Sequence, residues 1–249
     1  MVQEKALPVT CDGFSLSCGS AVPDNARGVV VLLHGIPSTK PPDPDDLGYP
    51  GLAREFAARG WAAVWADMRA VRKSQGFFSI EGWVRDAESV VAAAYSLPIA
   101  TDIPLALVGS SAGGAVAAEA VRRGAPVDAL ALLAAPASWL SFTNDPHVGL
   151  DRITREAGMS VAPEVVDDPI AWALEFEGVT TESSIKDVHV PTLVVHGTAD
   201  DVVPVDHAQR IAAKGPQVEL HLLEGAGHQL RKEEAAMTLV FDWLERTLA

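Results

Sequence analysis

The sequence predicts one α/β domain over residues 1–249, built on a mostly parallel central sheet with helices on both faces. Three observations favour this fold class. Short, nearly continuous apolar runs recur along the chain, longer Ala-rich amphipathic stretches follow them, and turn residues separate the two. Apolar runs of about four to six residues are typical of strands buried on both faces, and their alternation with helices is typical of a parallel sheet.

The elements follow one another in a simple order. Hairpin signals around Asp12-Gly13 predict antiparallel strands at one edge of the sheet. The apolar runs that predict buried strands are Val29–Leu33, Ala62–Ala66, Leu105–Val108, Leu130–Leu133, Thr192–Val195 and Val218–Leu223. Helices are predicted at about 46–59, 82–96, 111–123, 205–213 and 229–248.

Two regions interrupt this alternation. Residues 36–50 are rich in proline and acidic residues, which predicts a loop. Residues 138–189 are far longer than a typical connection, and they predict a small, mostly helical cap insertion over one end of the sheet. The aromatic residues of this insertion are candidates for lining a substrate pocket, with simple packing onto the sheet as the alternative; they are Trp139, Phe142, Trp172 and Phe176.

Composition and charge restrict the class of partner. The formal net charge is -14, and this excess of carboxylates disfavours nucleic acid and anionic membrane surfaces. No apolar run approaches the ~18 residues of a membrane span, and the N-terminus lacks the basic and apolar regions of a signal peptide. Two cysteines, Cys11 and Cys18, suit a reducing compartment. We therefore expect a cytoplasmic protein.

One pentapeptide carries the pattern of a nucleophilic serine. Gly109-Ser110-Ser111-Ala112-Gly113 fits G-x-S-x-G and lies between a predicted strand and a predicted helix. In this context the serine occupies a strained turn with small neighbours, and its hydroxyl projects at the top of the sheet. The pattern predicts Ser111 as the nucleophile. The alternative is a structural turn serine, and Ser110 occupies the wrong place in the motif.

A serine nucleophile needs a base, and the base needs an acid that orients it. The expected chain order is serine, acid, histidine. His228 follows the last predicted strand on a glycine-flanked loop and is the candidate base, with a capping or surface histidine as the alternative. Asp200 and Asp201 follow the strand Thr192–Val195, at the edge of the sheet where sites of open α/β sheets assemble. Either aspartate is a candidate on this ground alone.

The tetrahedral intermediate of such a reaction needs hydrogen-bond donors for its oxyanion. The backbone N–H of Ala112, the residue after the candidate nucleophile, is one expected donor. The second is expected from the loop that begins at His34. Pro37 has no N–H, so Ile36 is the candidate. We expect His34 itself to brace this loop, with a direct catalytic role as the alternative.

Together these motifs resemble the α/β-hydrolase superfamily over almost the whole chain from residue 28 onward. The motifs are His34-Gly35, Gly109-x-Ser111-x-Gly113, His196-Gly197-x-x-Asp200 and Gly227-His228. The segment Val194–Pro204 is similar to carboxylesterases, acylglycerol-lipase-like hydrolases and prolyl-oligopeptidase-type catalytic domains. The resemblance implies the α/β-hydrolase fold, a triad of Ser111, Asp200 and His228, and no metal or organic cofactor. It selects Asp200 over Asp201, which we expect to cap a helix that begins beside it.

The loop that follows the strand Ala62–Ala66 departs from this superfamily. Many relatives carry Asp-x-Arg-Gly-x-Gly-x-Ser-x-Gly there, whereas the run Asp67–Gly76 lacks both middle glycines and adds Arg72 and Lys73. Two interpretations are open. The added cations contact a substrate carboxylate, or the loop is a solvated turn in which Arg69 has a structural role.

The predicted function is hydrolysis of a small or medium carboxylic ester through an acyl-enzyme intermediate. Peptidases, thioesterases and C–C bond hydrolases use the same machinery. A peptidase is less expected, because the chain lacks the extra domain with which prolyl-oligopeptidase-type enzymes gate peptides. A non-catalytic binding protein of this fold is the alternative from another class. The expected partner is a small-molecule ester substrate, without nucleic acid or membrane, and the oligomeric state is not indicated.

Overall fold

Nine strands form one sheet in the computed structural model, which describes residues 1–39, 41, 43–99 and 102–248. The strands are Val2–Ala6 (β1), Val9–Cys11 (β2), Phe14–Pro23 (β3), Gly28–Leu33 (β4), Trp61–Asp67 (β5), Leu105–Ser110 (β6), Ala129–Leu133 (β7), Thr192–Gly197 (β8) and Val218–Leu223 (β9). Their spatial order is β1-β3-β5-β4-β6-β7-β8-β9, and β2 pairs with β3. All pairs from β5 through β4 to β9 are parallel. The predicted α/β fold with a mostly parallel sheet is confirmed.

The antiparallel edge contains three strands, since β3 is long enough to pair on more than one side. The start of β3 pairs with β2, and Cys11 faces Phe14 across the tight turn. The end of β3 pairs with β1, from Gly19 to Pro23. Its middle pairs antiparallel with β5. The antiparallel strands that the sequence predicts around Asp12-Gly13 are thus part of a larger antiparallel region at this edge of the sheet.

The α helices lie between and after the parallel strands. They are Gly48–Ala58 (α1), Ile80–Ala94 (α2), Ala112–Arg122 (α3), Leu140–Thr143 (α4), Pro146–Asp151 (α5), Pro163–Asp167 (α6), Pro169–Gly178 (α7), Thr181–Ser184 (α8), Asp206–Lys214 (α9) and Glu234–Leu248 (α10). The last helix begins later than predicted, because Leu230–Lys232 forms a separate 3₁₀ turn. No helix in the described ranges is both long and apolar enough for a bilayer crossing. In the predicted loop 36–50, Lys40 and Pro42 lie outside the described residues, as does Ala249 of the predicted domain 1–249.

Two apolar layers cover the sheet, one on each face. Successive residues of a strand point to opposite faces, so Val29 and Val31 of β4 join one layer and Val30 and Leu32 the other. The first layer packs under α2, α3 and α9, and the second packs under α1 and α10. All of β4 is buried, which explains its unbroken apolar run.

Residues 138–189 form the helices α4 to α8, together with a π-helical turn at Arg152–Glu156. An aromatic cluster joins this insertion to the rest of the domain. Phe142 stacks on Phe176 with ring centroids 4.7 Å apart, and Trp172 meets Phe176 edge to face at 5.0 Å. Phe78, which precedes α2, contacts both Trp172 and Phe176. Packing of this kind holds the insertion at the sheet through buried aromatic area.

A buried ion pair fixes the loop that follows β5. Asp86 of α2 is fully buried and accepts hydrogen bonds from the backbone N–H, Nε and Nη2 of Arg69, the last at 2.7 Å. The same guanidinium lies 2.9 Å from Asp12 in the turn between β2 and β3. Burial by itself lowers the pKa of Arg69, but the hydrogen bonds to Asp86 and Asp12 raise it above its ordinary value. Arg69 therefore joins three segments that are distant in the sequence.

We expect Asp86→Ala to lower the free energy of unfolding by about 3 kcal/mol, because it leaves a buried guanidinium without its main counter-charge. Urea denaturation measures this change. Arg54→Ala is the control, since it removes the exposed pair with Glu4 and should cost less than about 1 kcal/mol. Equal losses in the two variants would contradict the structural role of the Arg69–Asp86 pair.

Candidate active site

Ser111 lies on the sharp turn where β6 ends and α3 begins. Its backbone has a φ of 53° and a ψ of -125°, a left-handed conformation that is unfavourable for any residue with a Cβ. Two hydrogen bonds hold the turn. The Ser111 N–H donates to the carbonyl of Leu133 in β7, and the Gly114 N–H donates to the Ser111 carbonyl, both at 2.8 Å. The strain is thus maintained by the sheet on one side and the helix on the other.

The two glycines of the motif are required because neighbouring backbone segments lie too close to them for any Cβ atom. A Cβ on Gly109 would lie 2.4 Å from the carbonyl oxygen of Gly113. A Cβ on Gly113 would lie 2.5 Å from the carbonyl oxygen of His34. Neither distance is possible without moving the backbone, so any larger residue at these positions displaces the turn that carries Ser111.

A chain of hydrogen bonds joins the three predicted triad residues. His228 Nε2 lies 3.0 Å from Ser111 Oγ, and His228 Nδ1 lies 2.8 Å from Asp200 Oδ2. Because the carboxylate is an acceptor only, Nδ1 carries the proton, and the lone pair of Nε2 is directed at the serine hydroxyl. These residues follow β6, β8 and β9, whose carboxyl ends meet at one edge of the sheet.

Asp200 is held as a buried carboxylate. Its Oδ1 accepts the backbone N–H groups of Val202 and Val203 at 2.9 and 2.8 Å. Burial alone raises the pKa of Asp200, but hydrogen bonds from His196, His228 and the Val203 N–H hold it well below its usual range. The carboxylate is therefore ionised at neutral pH and able to orient His228.

His196 is a site residue to which the sequence assigned no role of its own. It is fully buried at the end of β8, and its Nε2 lies 2.8 Å from the Val203 carbonyl oxygen and 3.3 Å from Asp200 Oδ2. Through these contacts His196 fixes the loop that carries Asp200 and adds a donor beside its carboxylate. The signal for it was the four-residue spacing between a strand-end histidine and the aspartate.

The expectation that Asp201 caps a helix is wrong. Asp201 is exposed, and the next helix, α9, begins only at Asp206. The N–H groups that Asp201 was expected to satisfy donate to Asp200 instead, since an aspartate side chain readily accepts from backbone two and three residues ahead. Oδ1 of Asp200 thus accepts the N–H groups of the turn that follows it, and Oδ2 faces His228 Nδ1.

The loop after β4 lies directly against Ser111. A Cβ on Gly35 would lie 2.7 Å from the Cβ of Ser111. The ring of His34 braces this loop, with Nδ1 2.7 Å from the Gly35 carbonyl oxygen and Nε2 accepting the Met68 N–H at 2.9 Å. Burial lowers the pKa of His34, which keeps the ring neutral for both bonds.

Ile36 and Ala112, the predicted oxyanion donors, border the same cavity as Ser111. Ala112 is the first residue of α3, where the N–H has no intrahelical partner. In the part of the chain that the structure describes, neither backbone N–H donates a hydrogen bond. Both donors are therefore available to a ligand beside Ser111 Oγ.

This cavity has a volume of about 780 Å³. Trp139 and Phe142 lie in its wall, whereas Trp172 and Phe176 lie behind them in the aromatic cluster and do not line it. Trp139 is also anchored, because its Nε1–H donates to the Val179 carbonyl at 2.5 Å. The structure thus brings two of the four predicted pocket aromatics to the cavity, and the other two pack the insertion.

Arg72 and Lys73 do not reach the cavity. Arg72 is exposed and pairs with Asp67 at 2.6 Å, and Lys73 is exposed as well. Ala70 and Arg72, which replace the glycines of the related pattern, keep positive φ angles of 64° and 49°. The loop therefore has the shape that glycines favour, and the interpretation as a solvated turn with a structural Arg69 is the one the structure supports.

Comparison with models of protein families gives a match over most of the chain. Residues 81–249 match the model of the prolyl oligopeptidase family. Among curated proteins, the non-reducing polyketide synthase adrD of Penicillium roqueforti is 33% identical over 89 residues, which is 31% of this chain and 4% of that protein. The adrD synthase of Penicillium rubens is 33% identical over 91 residues, again 4% of its length. The chain therefore spans a small fraction of these curated relatives.

Solved structures show the same fold at low identity. Est1E from Butyrivibrio proteoclasticus, with ferulic acid bound, has a TM-score of 0.72 at 20% identity over 97% of this chain and 99% of that one. The esterase Pf2001 of Pyrococcus furiosus has a TM-score of 0.71 at 20% identity over 100% and 92%. A 2-hydroxy-6-oxo-6-phenylhexa-2,4-dienoate hydrolase from Rhodococcus sp. has a TM-score of 0.67 at 17% identity over 98% and 100%. These likenesses show the fold, and together with the family match over residues 81–249 they confirm the resemblance to the α/β-hydrolase superfamily.

The two adjacent aspartates allow a matched test of the site. We expect Asp200→Asn to slow the reaction of Ser111 with a fluorophosphonate by about 10³–10⁴-fold, since an amide facing Nδ1 favours the wrong histidine tautomer. Asp201→Asn should change the rate by less than about twofold, because its side chain is exposed. Mass spectrometry of the labelled protein over time measures both rates. A large loss in Asp201→Asn with little change in Asp200→Asn would overturn this geometry.

Proposed function

Because this chain belongs to the prolyl oligopeptidase family, we propose that it is a serine hydrolase that cleaves a small or medium carboxylic ester through an acyl-enzyme. The observation that carries the proposal is the unbroken hydrogen-bond chain from Ser111 Oγ through His228 to Asp200, at 3.0 and 2.8 Å. A serine hydroxyl is a weak nucleophile, and a neutral imidazole at hydrogen-bond distance removes its proton as it attacks. The same arrangement serves several acyl-transfer reactions.

The first half-reaction forms the acyl-enzyme. Ser111 Oγ attacks the carbonyl carbon as His228 Nε2 takes its proton, and the ionised Asp200 stabilises the resulting imidazolium. The N–H groups of Ile36 and Ala112 donate to the oxyanion of the tetrahedral intermediate. When this intermediate collapses, His228 returns the proton to the leaving alcohol.

The second half-reaction restores the enzyme. Water attacks the acyl carbon as His228 takes one of its protons, and the carboxylic acid leaves when His228 returns that proton to Ser111 Oγ. Each proton that His228 accepts is given back within the same half-reaction. The net change is therefore ester plus water giving acid plus alcohol, without a metal or a redox step.

The cavity supports a small or medium substrate. A volume of about 780 Å³ lies within the ~300–1,000 Å³ range of small-molecule pockets. Trp139 and Phe142 offer an apolar wall to the acyl or alcohol part. The names of two proteins of this fold, the esterase Pf2001 and Est1E with ferulic acid bound, are consistent with ester chemistry.

Amide hydrolysis is the second candidate, and one observation favours it. The family that residues 81–249 match is named for an oligopeptidase. The same serine and histidine cleave an amide if His228 protonates the leaving nitrogen. Aminoacyl p-nitroanilides, measured beside p-nitrophenyl esters of increasing acyl length, separate the two candidates by their kcat/KM values.

We expect Ser111→Ala to lower kcat by several orders of magnitude on the best ester without changing the melting temperature by more than a few degrees. The physical reason is loss of the only nucleophile that His228 contacts in the described residues. Steady-state kinetics on purified protein measures the effect, and circular dichroism checks the fold.

Ser110→Ala is the matched control for this experiment, since it removes the neighbouring hydroxyl and should keep most of the activity. If Ser111→Ala retained more than about a tenth of wild-type kcat, the proposed nucleophile would be wrong. Failure of a fluorophosphonate to label the wild type would instead favour a binding protein of this fold.

A further inference from the structure

Arg152 places a positive charge in the wall of the cavity that holds Ser111. It is the first residue of the π-helical turn Arg152–Glu156, directly after α5. Its side chain is half-buried, and its guanidinium carbon lies 5.6 Å from the centroid of the Phe142 ring. A guanidinium over an aromatic face is held in position by cation–π attraction. The cation thus lies on the aromatic wall of the cavity.

Among the residues that the structure describes, no carboxylate forms an ion pair with this guanidinium. Among the described residues, Arg59 and Arg152 are the only arginines more than 4.0 Å from every carboxylate oxygen. Arg59 packs over Phe241 on the other face of the sheet, away from Ser111. An unpaired arginine is notable in a chain with a net charge of -14, where carboxylates are abundant. Arg152 therefore retains its full capacity to bind an anion.

The position of Arg152 relative to Ser111 is fixed by backbone contacts. The Thr39 N–H donates to the Glu156 carbonyl at 2.9 Å, so the π turn lies against the loop that carries Ile36. The Ala157 N–H closes the turn on the Arg152 carbonyl, also at 2.9 Å. π-helical turns are rare and occur frequently at functional sites. This one sets a cation and a candidate oxyanion donor in the wall of one cavity.

The geometry points to a substrate that carries a carboxylate, which pairs with Arg152 while its ester bond lies at Ser111. This inference rests on the proposed function and names its substrate class. A planar guanidinium matches a carboxylate with two parallel N–H···O bonds, and partial burial strengthens the pairing. The carboxylate belongs to the acyl part or to the alcohol part of the ester.

The other ionisable groups of the cavity favour a singly charged anion. Arg155 also borders the cavity, but it is exposed and paired with Asp151 at 3.3 Å. Glu156 borders it too, and its negative charge disfavours a dianion such as a phosphate monoester. His207 accepts the Ala137 N–H through Nδ1, and burial lowers its pKa, so it adds no charge at neutral pH. One net positive charge at Arg152 matches one carboxylate.

Matched ester pairs test this inference, because the two members of a pair have nearly the same size and shape and differ chiefly in charge. For the acyl side, the pair is the monophenyl ester of adipic acid and the phenyl ester of adipic acid monoamide. For the alcohol side, the pair is 4-acetoxybenzoate and 4-acetoxybenzamide. We expect the wild type to prefer the carboxylate of at least one pair by about tenfold or more in kcat/KM.

Three variants test whether Arg152 is the source of the preference for the carboxylate ester. Arg152→Gln should lower kcat/KM for the preferred carboxylate ester by about tenfold to a hundredfold and change its neutral partner by less than about threefold. Arg152→Lys should retain part of the preference, since it keeps the charge without the planar geometry. Arg155→Gln is the matched control on the same wall, and it should leave the preference unchanged.

Equal losses on charged and neutral esters in Arg152→Gln, or an unchanged preference, would overturn the inference while leaving the hydrolase proposal intact. A wild type that cleaves none of the four esters would count against the proposed ester chemistry instead. In that case binding of adipic acid monoamide, which carries a single carboxylate, to Ser111→Ala, measured by calorimetry, decides the inference separately. The monoamide must bind Ser111→Ala at least tenfold more tightly than Ser111→Ala/Arg152→Gln, and equal binding refutes the role of Arg152.

Discussion

The left-handed backbone of Ser111 is the constraint on which the rest of the site depends. Such a conformation costs about 1–3 kcal/mol for a residue with a side chain and persists only where its surroundings hold it. Here the N–H of Ser111 donates to a carbonyl of β7, and the carbonyl of Ser111 accepts an N–H from α3. Gly109 and Gly113 lack the Cβ atoms that would clash with the backbone of the turn. The turn lifts Oγ clear of the sheet and starts α3 at Ala112, so the proposed nucleophile and one proposed oxyanion donor are adjacent residues of one strained turn.

Electrostatics explains how an acidic protein keeps a few carboxylates buried. Asp86 and Asp200 are both buried, and each accepts several hydrogen bonds. Asp86 meets a guanidinium and has a structural role, whereas Asp200 meets two imidazoles and two backbone N–H groups. A buried charge without such partners would be strongly destabilising, so these networks also fix the loops that contribute to them. Orientation of His228 follows from that rigidity.

Some residues of the insertion 138–189 pack it against the rest of the domain, and others line the cavity. Phe176 and Trp172 are buried against Phe78 and join the insertion to α2, while Trp139 and Phe142 show one side to the cavity. Arg152 lies over the Phe142 ring, so the residue that lines the cavity also positions the cation. In the proposed function, the same segment therefore sets the size and the charge of the substrate, while the sheet carries the triad.

The sequence by itself determined the fold class, the succession of strands and helices along the chain, and the candidate triad, because these depend on local periodicity and on short motifs. Buried parallel strands need unbroken apolar runs, and their carboxyl ends meet at one edge, which predicts that the segments after β6, β8 and β9 lie together. Only the tertiary structure decided which side chains meet there. Asp200, rather than Asp201, satisfies the following N–H groups, and His196 supports it. Two of the four aromatics face the cavity, and among the described residues Arg152 has an aromatic neighbour, Phe142, but no carboxylate partner. Each of these outcomes depends on side-chain directions and on contacts between segments far apart in the chain, which no local pattern of residues contains.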